Sequence, residues 1–209
     1  MVVGDAQAWA DRFVTFDNRF LQRIIAVWPS CMALLPGQPH EDTITINLVD
    51  LLWKDATVRR LCHWIEYQYE PFGLASDGSK FSKGKIDVGV LLTWNRDLYL
   101  AYECKRLNVV GPGRRSSLAT AYVMQGMMRF LTEQYAEGLL VGCMLGYVMD
   151  GDVTFANTAV NAAITAHAPL QLLAGPEPMP PVASISRFST LHNRSPAPSI
   201  SLQHALLPR

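Results

Sequence analysis

Charge is what this chain has least of. Only 17% of its 209 residues are Asp, Glu, Lys or Arg, against roughly a quarter in an average soluble domain. The 18 basic residues cancel the 18 acidic ones. That excludes a surface coated in positive charge for non-specific nucleic-acid binding, though not a local basic patch. Cysteine is sparse: Cys31, Cys62, Cys104 and Cys143 form no C-x-x-C pair. Neither a patterned zinc site nor a disulfide framework is expected; reduced, buried thiols and a cytoplasmic protein are. No basic segment precedes an apolar one in Met1-Val2-Val3-Gly4-Asp5, so no signal peptide is expected. Residues 153–176 carry no formal charge and are long enough to span a bilayer. Asn157, Asn161, Thr165, His167, Pro169 and Gln171 argue against a spanning helix there. Gly111-Pro112-Gly113 lacks the G-K-[ST] of a phosphate loop, and no G-x-S-x-G elbow occurs. Cys62 and His63 are adjacent, so in a strand they face opposite sides and form no nucleophile–base pair.

What is plentiful is apolar: 49% of residues, with a mean hydropathy of +0.10. That suffices for one closed core over 1–209, and so little solvated surface suggests a subunit interface. Ala6, Trp9, Ala10, Phe13, Phe16, Phe20, Ile24 and Val27 recur at helical spacing, predicting an N-terminal helix within 1–36 that ends before Pro29. After the turn-rich 36–39, Glu41 and Asp42 open a second helix reaching about Ala56. Strands are predicted over 61–70, 85–94 and 98–107, the last two joined by Asn95-Arg96-Asp97. The loop Asn108–Arg115 leads through Ser116-Ser117 to a helix reaching about Ala136. Residues 139–148 read as a fully buried strand, which a crossover sets parallel to 98–107. The C-terminal part, 149–209, adds a helix at about 152–173, a stiff linker at Pro176, Pro178, Pro180 and Pro181, and strands at 182–191 and 199–207. The fold class is α/β with a mixed sheet.

Chemistry concentrates in Asp87 and Glu103-Cys104-Lys105. Side chains alternate along a strand, so Glu103 and Lys105 share one face while Tyr102, Cys104 and Arg106 share the other. Antiparallel pairing through 95–97 sets Asp87 opposite Glu103, with Lys105 beside them. Two such carboxylates repel, and a hard cation such as Mg2+ or Mn2+ relieves that cost. The cation then orients and deprotonates water and stabilises a phosphoryl oxygen, while an ammonium positions the water or the transition state. Taken alone, E-x-K also describes a cross-strand ion pair on a solvated face. The apolar run Leu98–Tyr102 before it places it on a central strand, where two charges need a purpose.

At these residues the chain resembles the PD-(D/E)XK, or restriction-endonuclease-like, nuclease superfamily. Its shared core of helix, three strands, helix and strand is the order read over 41–148. The family carries Asp on the second strand and (D/E)-x-K on the third, matching Asp87 and Glu103-Cys104-Lys105, with Ile86 where the family has Pro. The resemblance implies a restriction-endonuclease-like αβββαβ core with a mixed central sheet. It implies Asp87 and Glu103 as ligands of Mg2+ (or Mn2+), the Cys104 carbonyl as a further one, and Lys105 serving the water and the transition state. Members often add an acid on the first helix. Glu41 is the candidate, equally a plain helix-start acid, with Glu70 and more weakly Glu66 as competitors. Many members also use polar residues on the helix after the third strand. Tyr122, Gln125 and Arg129 lie on one face there, Gln125 as the catalytic or substrate contact and Arg129 alternatively as a buried ion-pair residue. Met124, Met127, Met128 and Leu131 suit the core.

Residues 80–115 hold eight basic side chains against three acidic ones, a net +5 that the rest of the chain cancels. Nucleic-acid contacts are expected from Lys83, Lys85, Arg106, Arg114, Arg115, Arg129 and Tyr122, with Arg114 and Arg115 holding phosphates or simply solvated. His192 and His204 read as core or interface residues. The implied function is Mg2+-dependent endonucleolytic cleavage of DNA, RNA remaining open, in phage defence, restriction or repair. The expected assembly is a homodimer or a subunit of a larger defence complex, away from membranes. The alternative is a non-catalytic nuclease-like subunit that binds nucleic acid or a protein partner. Its support is the neutral balance and the apolar segments Val182–Leu191 and Ile200–Leu207, read as interface or sheet edges.

Overall fold

The computed structural model describes residues 6–35, 37–183 and 185–209, so the readings made on Met1–Asp5 and on Pro36 lie outside it. The long helix α1 (Ala6–Ala33) buries Phe13, Phe20, Ile24 and Trp28 along one stripe. It runs past Pro29 rather than stopping before it. The missing N–H costs one hydrogen bond, but the last turn is pinned where Trp28 Nε1 donates to the Pro208 carbonyl at 2.6 Å and Cys31 is fully buried. Helix α2 (Glu41–Lys54) starts with Glu41 and Asp42 and ends with Lys54, each charge suiting the helix dipole. A single turn, α3 (Val58–Leu61), follows.

Seven strands form one mixed sheet, in the order β1-β4-β5-β8-β11-β10-β9. β1 (Trp64–Tyr69), β4 (Ile86–Leu91) and β5 (Tyr99–Leu107) are an antiparallel meander. β8 (Val141–Val148) lies parallel to β5, and every one of its residues is buried. β11 (Ala197–Pro208) is parallel to β8 and antiparallel to β10 (Arg187–Arg194), which pairs with the edge strand β9 (Leu172–Pro178). Of the strands expected at 182–191 and 199–207, the first enters the sheet only from Arg187, as β10, and the second as β11, both inside the sheet rather than at an edge. What reads as a stiff proline linker is largely β9, whose edge position tolerates Pro176 and Pro178.

Two hairpins of three-residue strands escape the periodicity: β2 (Phe72–Leu74) with β3 (Lys80–Ser82), and β6 (Val109–Gly111) with β7 (Arg114–Ser116) inside the expected loop. Helices α1 and α2 cover one face of the sheet. Phe20 meets Tyr102 with ring centroids 5.4 Å apart, and Thr45 Oγ1 lies 3.2 Å from the Tyr147 hydroxyl. The other face carries α6 (Val153–Ala166) and a helical run over 119–131, made of α4 (Ala119–Ala121), a π-helix (Tyr122–Met127) and α5 (Met128–Leu131). The run is five residues shorter than its periodicity suggests, and α6 ends before Pro169.

The π-helix overturns the face assignment made for this run, because i→i+5 winding rotates every later side chain. Tyr122 is fully buried and Met124 is 55% exposed, the reverse of what 3.6-residue spacing dictates. Tyr122 instead begins a buried polar chain. Its hydroxyl lies 2.9 Å from His204 Nδ1, His204 Nε2 lies 2.9 Å from Thr190 Oγ1, and Thr190 Oγ1 lies 2.7 Å from His192 Nε2. The last link fixes every direction: the Leu170 carbonyl, 2.8 Å from His192 Nδ1, can only accept. Each group therefore donates to the next, from Tyr122 through to Leu170. Burial lowers both histidine pKa values, so both rings are neutral.

Candidate functional site

The site grows from the β4–β5 ladder. Its last recorded pair, Val88 with Tyr102, sets Asp87 one step further on, level with Glu103. Asp87 Oδ2 accepts the Cys104 N–H at 2.7 Å, so the carboxylate caps the backbone of the strand that carries its partner. Glu103 is fully buried and Lys105 nearly so, on the face beneath the π-helix. Gly126 makes that contact possible. A Cβ there would stand 2.6 Å from the Met144 terminal methyl and 3.5 Å from the Cγ atoms of both Glu103 and Lys105.

Lys105 Nζ is the centre of the cluster. It lies 2.7 Å from Glu41 Oε1, 2.8 Å from Glu103 Oε1 and 3.9 Å from Asp87 Oδ2, and donates to the Cys104 carbonyl at 2.8 Å. Glu41 reaches in from the first turn of α2, and its second oxygen accepts the Arg106 N–H at 2.8 Å. Arg129 Nη1 stands 3.2 Å from Glu103 Oε1 and donates to the Tyr135 hydroxyl, which in turn donates to the Lys85 carbonyl. That bracket ties Glu103 to the segment leading into Asp87.

Three carboxylates face two cations, so one negative charge is in excess. Burial, reinforced by Asp87, pushes the Glu103 carboxyl up to about 8 against the pull of Lys105 and Arg129. Burial also raises Asp87, opposed by Lys105 and the Cys104 N–H. At Lys105, burial would favour the neutral amine, yet Glu103, Asp87 and Glu41 outweigh it and hold the ammonium charged above its ordinary range. Lys105 is therefore a fixed positive charge, and Glu103 is the group able to carry a proton near neutrality.

The predicted site residues separate into two sets. Asp87, Glu103, Lys105 and Glu41 come together, and Gln125 lines the open cleft of about 430 Å3 beside them, with His40, Glu41, Lys105 and Arg106. Arg106 Nη1 donates to the Pro39 carbonyl at 3.0 Å. Glu70 stays apart, 3.8 Å from Lys85, as does Glu66, 3.8 Å from Arg96. Tyr122, being buried, presents nothing to a nucleic acid. Most of the expected basic groove is neutralised by acids from elsewhere in the chain. Lys83 pairs with Glu137 at 2.6 Å, while Arg115 pairs with Asp150 and Asp152 at 2.8 and 3.0 Å and lies over Phe155. Arg114 is exposed on the β6–β7 hairpin. Sequence reasoning missed Tyr135, which no motif marks, and Gly126, for which a glycine within a helical run was the available signal.

Among the described residues, no group of three or more His, Cys, Asp or Glu side chains is assembled to hold a metal ion. Both Glu41 oxygens and the Cys104 carbonyl are taken by Lys105 and the Arg106 N–H. Glu103 differs. Its Oε1 is held by Lys105 and Arg129, but its buried Oε2 has no partner, a costly state for a carboxylate. Asp87 and Glu103 are thus the pair whose chemistry fits a hard divalent cation. Comparison with protein-family models, curated proteins and solved structures finds no match to this chain.

Proposed function

We propose that this chain is a metal-dependent nuclease of the PD-(D/E)XK type, hydrolysing phosphodiester bonds at the Asp87–Glu103–Lys105 cluster. The observation that carries the reading is Glu103: a fully buried carboxyl whose Oε1 faces Lys105 and Arg129 and whose Oε2 has no partner, level with Asp87 and beside a permanently charged lysine. The order of α2, β1, β4, β5, the helical run and β8 supports it, since that is the core order of those nucleases. Asp87 and Glu103 would hold Mg2+ or Mn2+, which when bound lowers the pKa of water and stabilises charge on phosphoryl oxygen. The chain's own residues supply the rest. Lys105 would place its positive charge beside the attacking water and the pentacoordinate transition state, where negative charge gathers. Glu41 and the Cys104 carbonyl fix the ammonium in position. Gln125 and Arg106 face the cleft and contact the substrate backbone. Role in the cell, strand preference and assembly belong to the same proposal: cleavage of foreign or damaged DNA by a dimer or a larger complex.

The test incubates the protein with plasmid, single-stranded DNA and RNA, in Mg2+ or EDTA, beside Asp87→Ala and Lys105→Ala. Cleavage in Mg2+ alone, falling at least about a hundredfold in both variants, is the expected result. Cleavage that survives both substitutions rules the mechanism out. Binding without cleavage under every condition favours the non-catalytic nucleic-acid-binding subunit, for which Lys105 sitting amid the carboxylates is the favouring observation.

A further inference from the structure

The opposite end of the sheet carries a second charged surface. About 16 Å of β4 separates Asp87 from Leu92, at 3.3 Å per residue. Leu92 and Leu61 floor a groove of about 370 Å3, walled by Arg12, Thr15 and Arg19 of α1. Two residues beyond each leucine, His63 and Trp94 pack together, ring centroids 3.5 Å apart. The Trp94 side is 85% exposed, more than any other large apolar residue described. Arg59 and Arg60, both exposed, sit on the single turn that supplies Leu61.

The charges here differ from those beside the carboxylates. Lys83, Lys85, Arg96, Arg115 and Arg129 are all held in ion pairs. Among the described residues Arg12, Arg19, Arg59 and Arg60 enter no ion pair, although Arg12 lies 4.4 Å over the Trp9 ring. Asp11 is the one carboxylate lining the groove, and it accepts from Gln7. Nearby Asp55 is bound to Arg23. Two guanidinium groups face one carboxylate in the groove itself, and Arg59 and Arg60 on the adjoining turn add two exposed cations beside it, on a molecule of zero net charge.

Two chemistries meet at this end of the sheet, in the groove and on the residues that follow its leucines. Guanidinium forks match phosphate oxygens in a bidentate way. An indole that stays 85% exposed with His63 tilted against it offers ring surface for stacking. An acidic peptide would use the first and leave the second idle, and a duplex keeps its bases away from it. A single strand uses both. We propose that this groove binds single-stranded nucleic acid, its phosphates on Arg12, Arg19, Arg59 and Arg60 and one base stacked on Trp94. The surface needs no catalysis by the carboxylate cluster, so it goes beyond the nuclease reading and is tested separately.

The experiment measures anisotropy of a fluorescein-labelled oligo-dT of about 20 nucleotides with the whole chain in EDTA, where cleavage is silent. Competitors are a duplex of the same length and polyglutamate. Trp94→Ala should weaken binding about tenfold or more, because base–aromatic stacking is lost. Four phosphate contacts predict a slope near −2.8 for log K against log salt on a single strand, and Arg59→Gln with Arg60→Gln should halve it to about −1.4. Unchanged thermal midpoints confirm that these surface variants fold. Affinity untouched by both sets, absence of binding, or equal competition by polyglutamate or duplex overturns the proposal. The cleavage assay is unaffected by any of these results, so each reading fails on its own evidence.

Discussion

Glu103 concentrates the residue-scale consequences. In the native protein its carboxyl titrates near 8, against an ordinary 4.5 when unfolded. Between those values the native state keeps a proton that the unfolded chain releases, so stability falls as pH rises through that window. Urea unfolding of the metal-free protein should show a loss on the order of a few kcal/mol between pH 5 and pH 8. Glu103→Gln, which removes the titration but keeps the shape, should flatten most of that slope; Asp87, shifted the same way by burial, keeps a remainder. A wild-type protein that gains stability over the same window contradicts the assigned environment. Much at this scale was readable in advance. The β-strand period of two and the short 95–97 connection were enough to place Asp87 beside Glu103. The pairing of Lys83, Lys85 and Arg115 was not readable, since their partners Glu137, Glu70 and Asp150 belong to other segments and only the folded chain brings them together.

At the scale of elements, the run over 119–131 decides how closely the cluster is roofed. Its π winding leaves no periodic signature that differs from an ordinary helix with irregular faces, so Tyr122 and Met124 exchange the places that spacing gives them. Long, periodic elements such as α1, α2, β5 and β8 were legible to within a few residues. The three-residue hairpins were not, because strands that short bury too little to impose alternation, and neither was β9, whose seven residues lie at the sheet edge with none fully buried. Gly126→Val is the sharp test of the roof. Its methyl groups must displace Met144 and press on Glu103 and Lys105, at a cost of about 1–3 kcal/mol for overpacking. The urea midpoint reports that loss. An equal midpoint would show that the turn does not lie where Gly126 is buried.

For the whole molecule, a buried charge pair adds to the apolar stripe of α1 where the helix meets the distal strand β10. Asp17 and Arg187 are both buried and joined in an ion pair, with the Tyr102 hydroxyl donating to Asp17 at 2.8 Å. Burial raises the Asp17 pKa despite that guanidinium, so the pair is held by geometry as much as by charge. Asp17→Ala strands Arg187 in the core and should cost about 3–5 kcal/mol by urea unfolding. Asp17→Leu with Arg187→Met should recover most of it. A small loss in the single variant would mean that water reaches the pair. Among the described residues no helix is long and apolar enough to cross a membrane, and all four cysteines are free and buried.

The interior position of β11 has a consequence in time. Ribosomes deliver β5 and β8 well before β11, yet β8 has β11 as its second neighbour. Until β11 emerges, a nascent chain holding the meander and β8 presents an open, wholly apolar parallel edge, the kind of template on which two unfinished chains pair. Synthesis is therefore the interval of greatest vulnerability, and its length is set by the roughly fifty residues of α6, β9 and β10 that intervene, a few seconds at 5–20 residues per second.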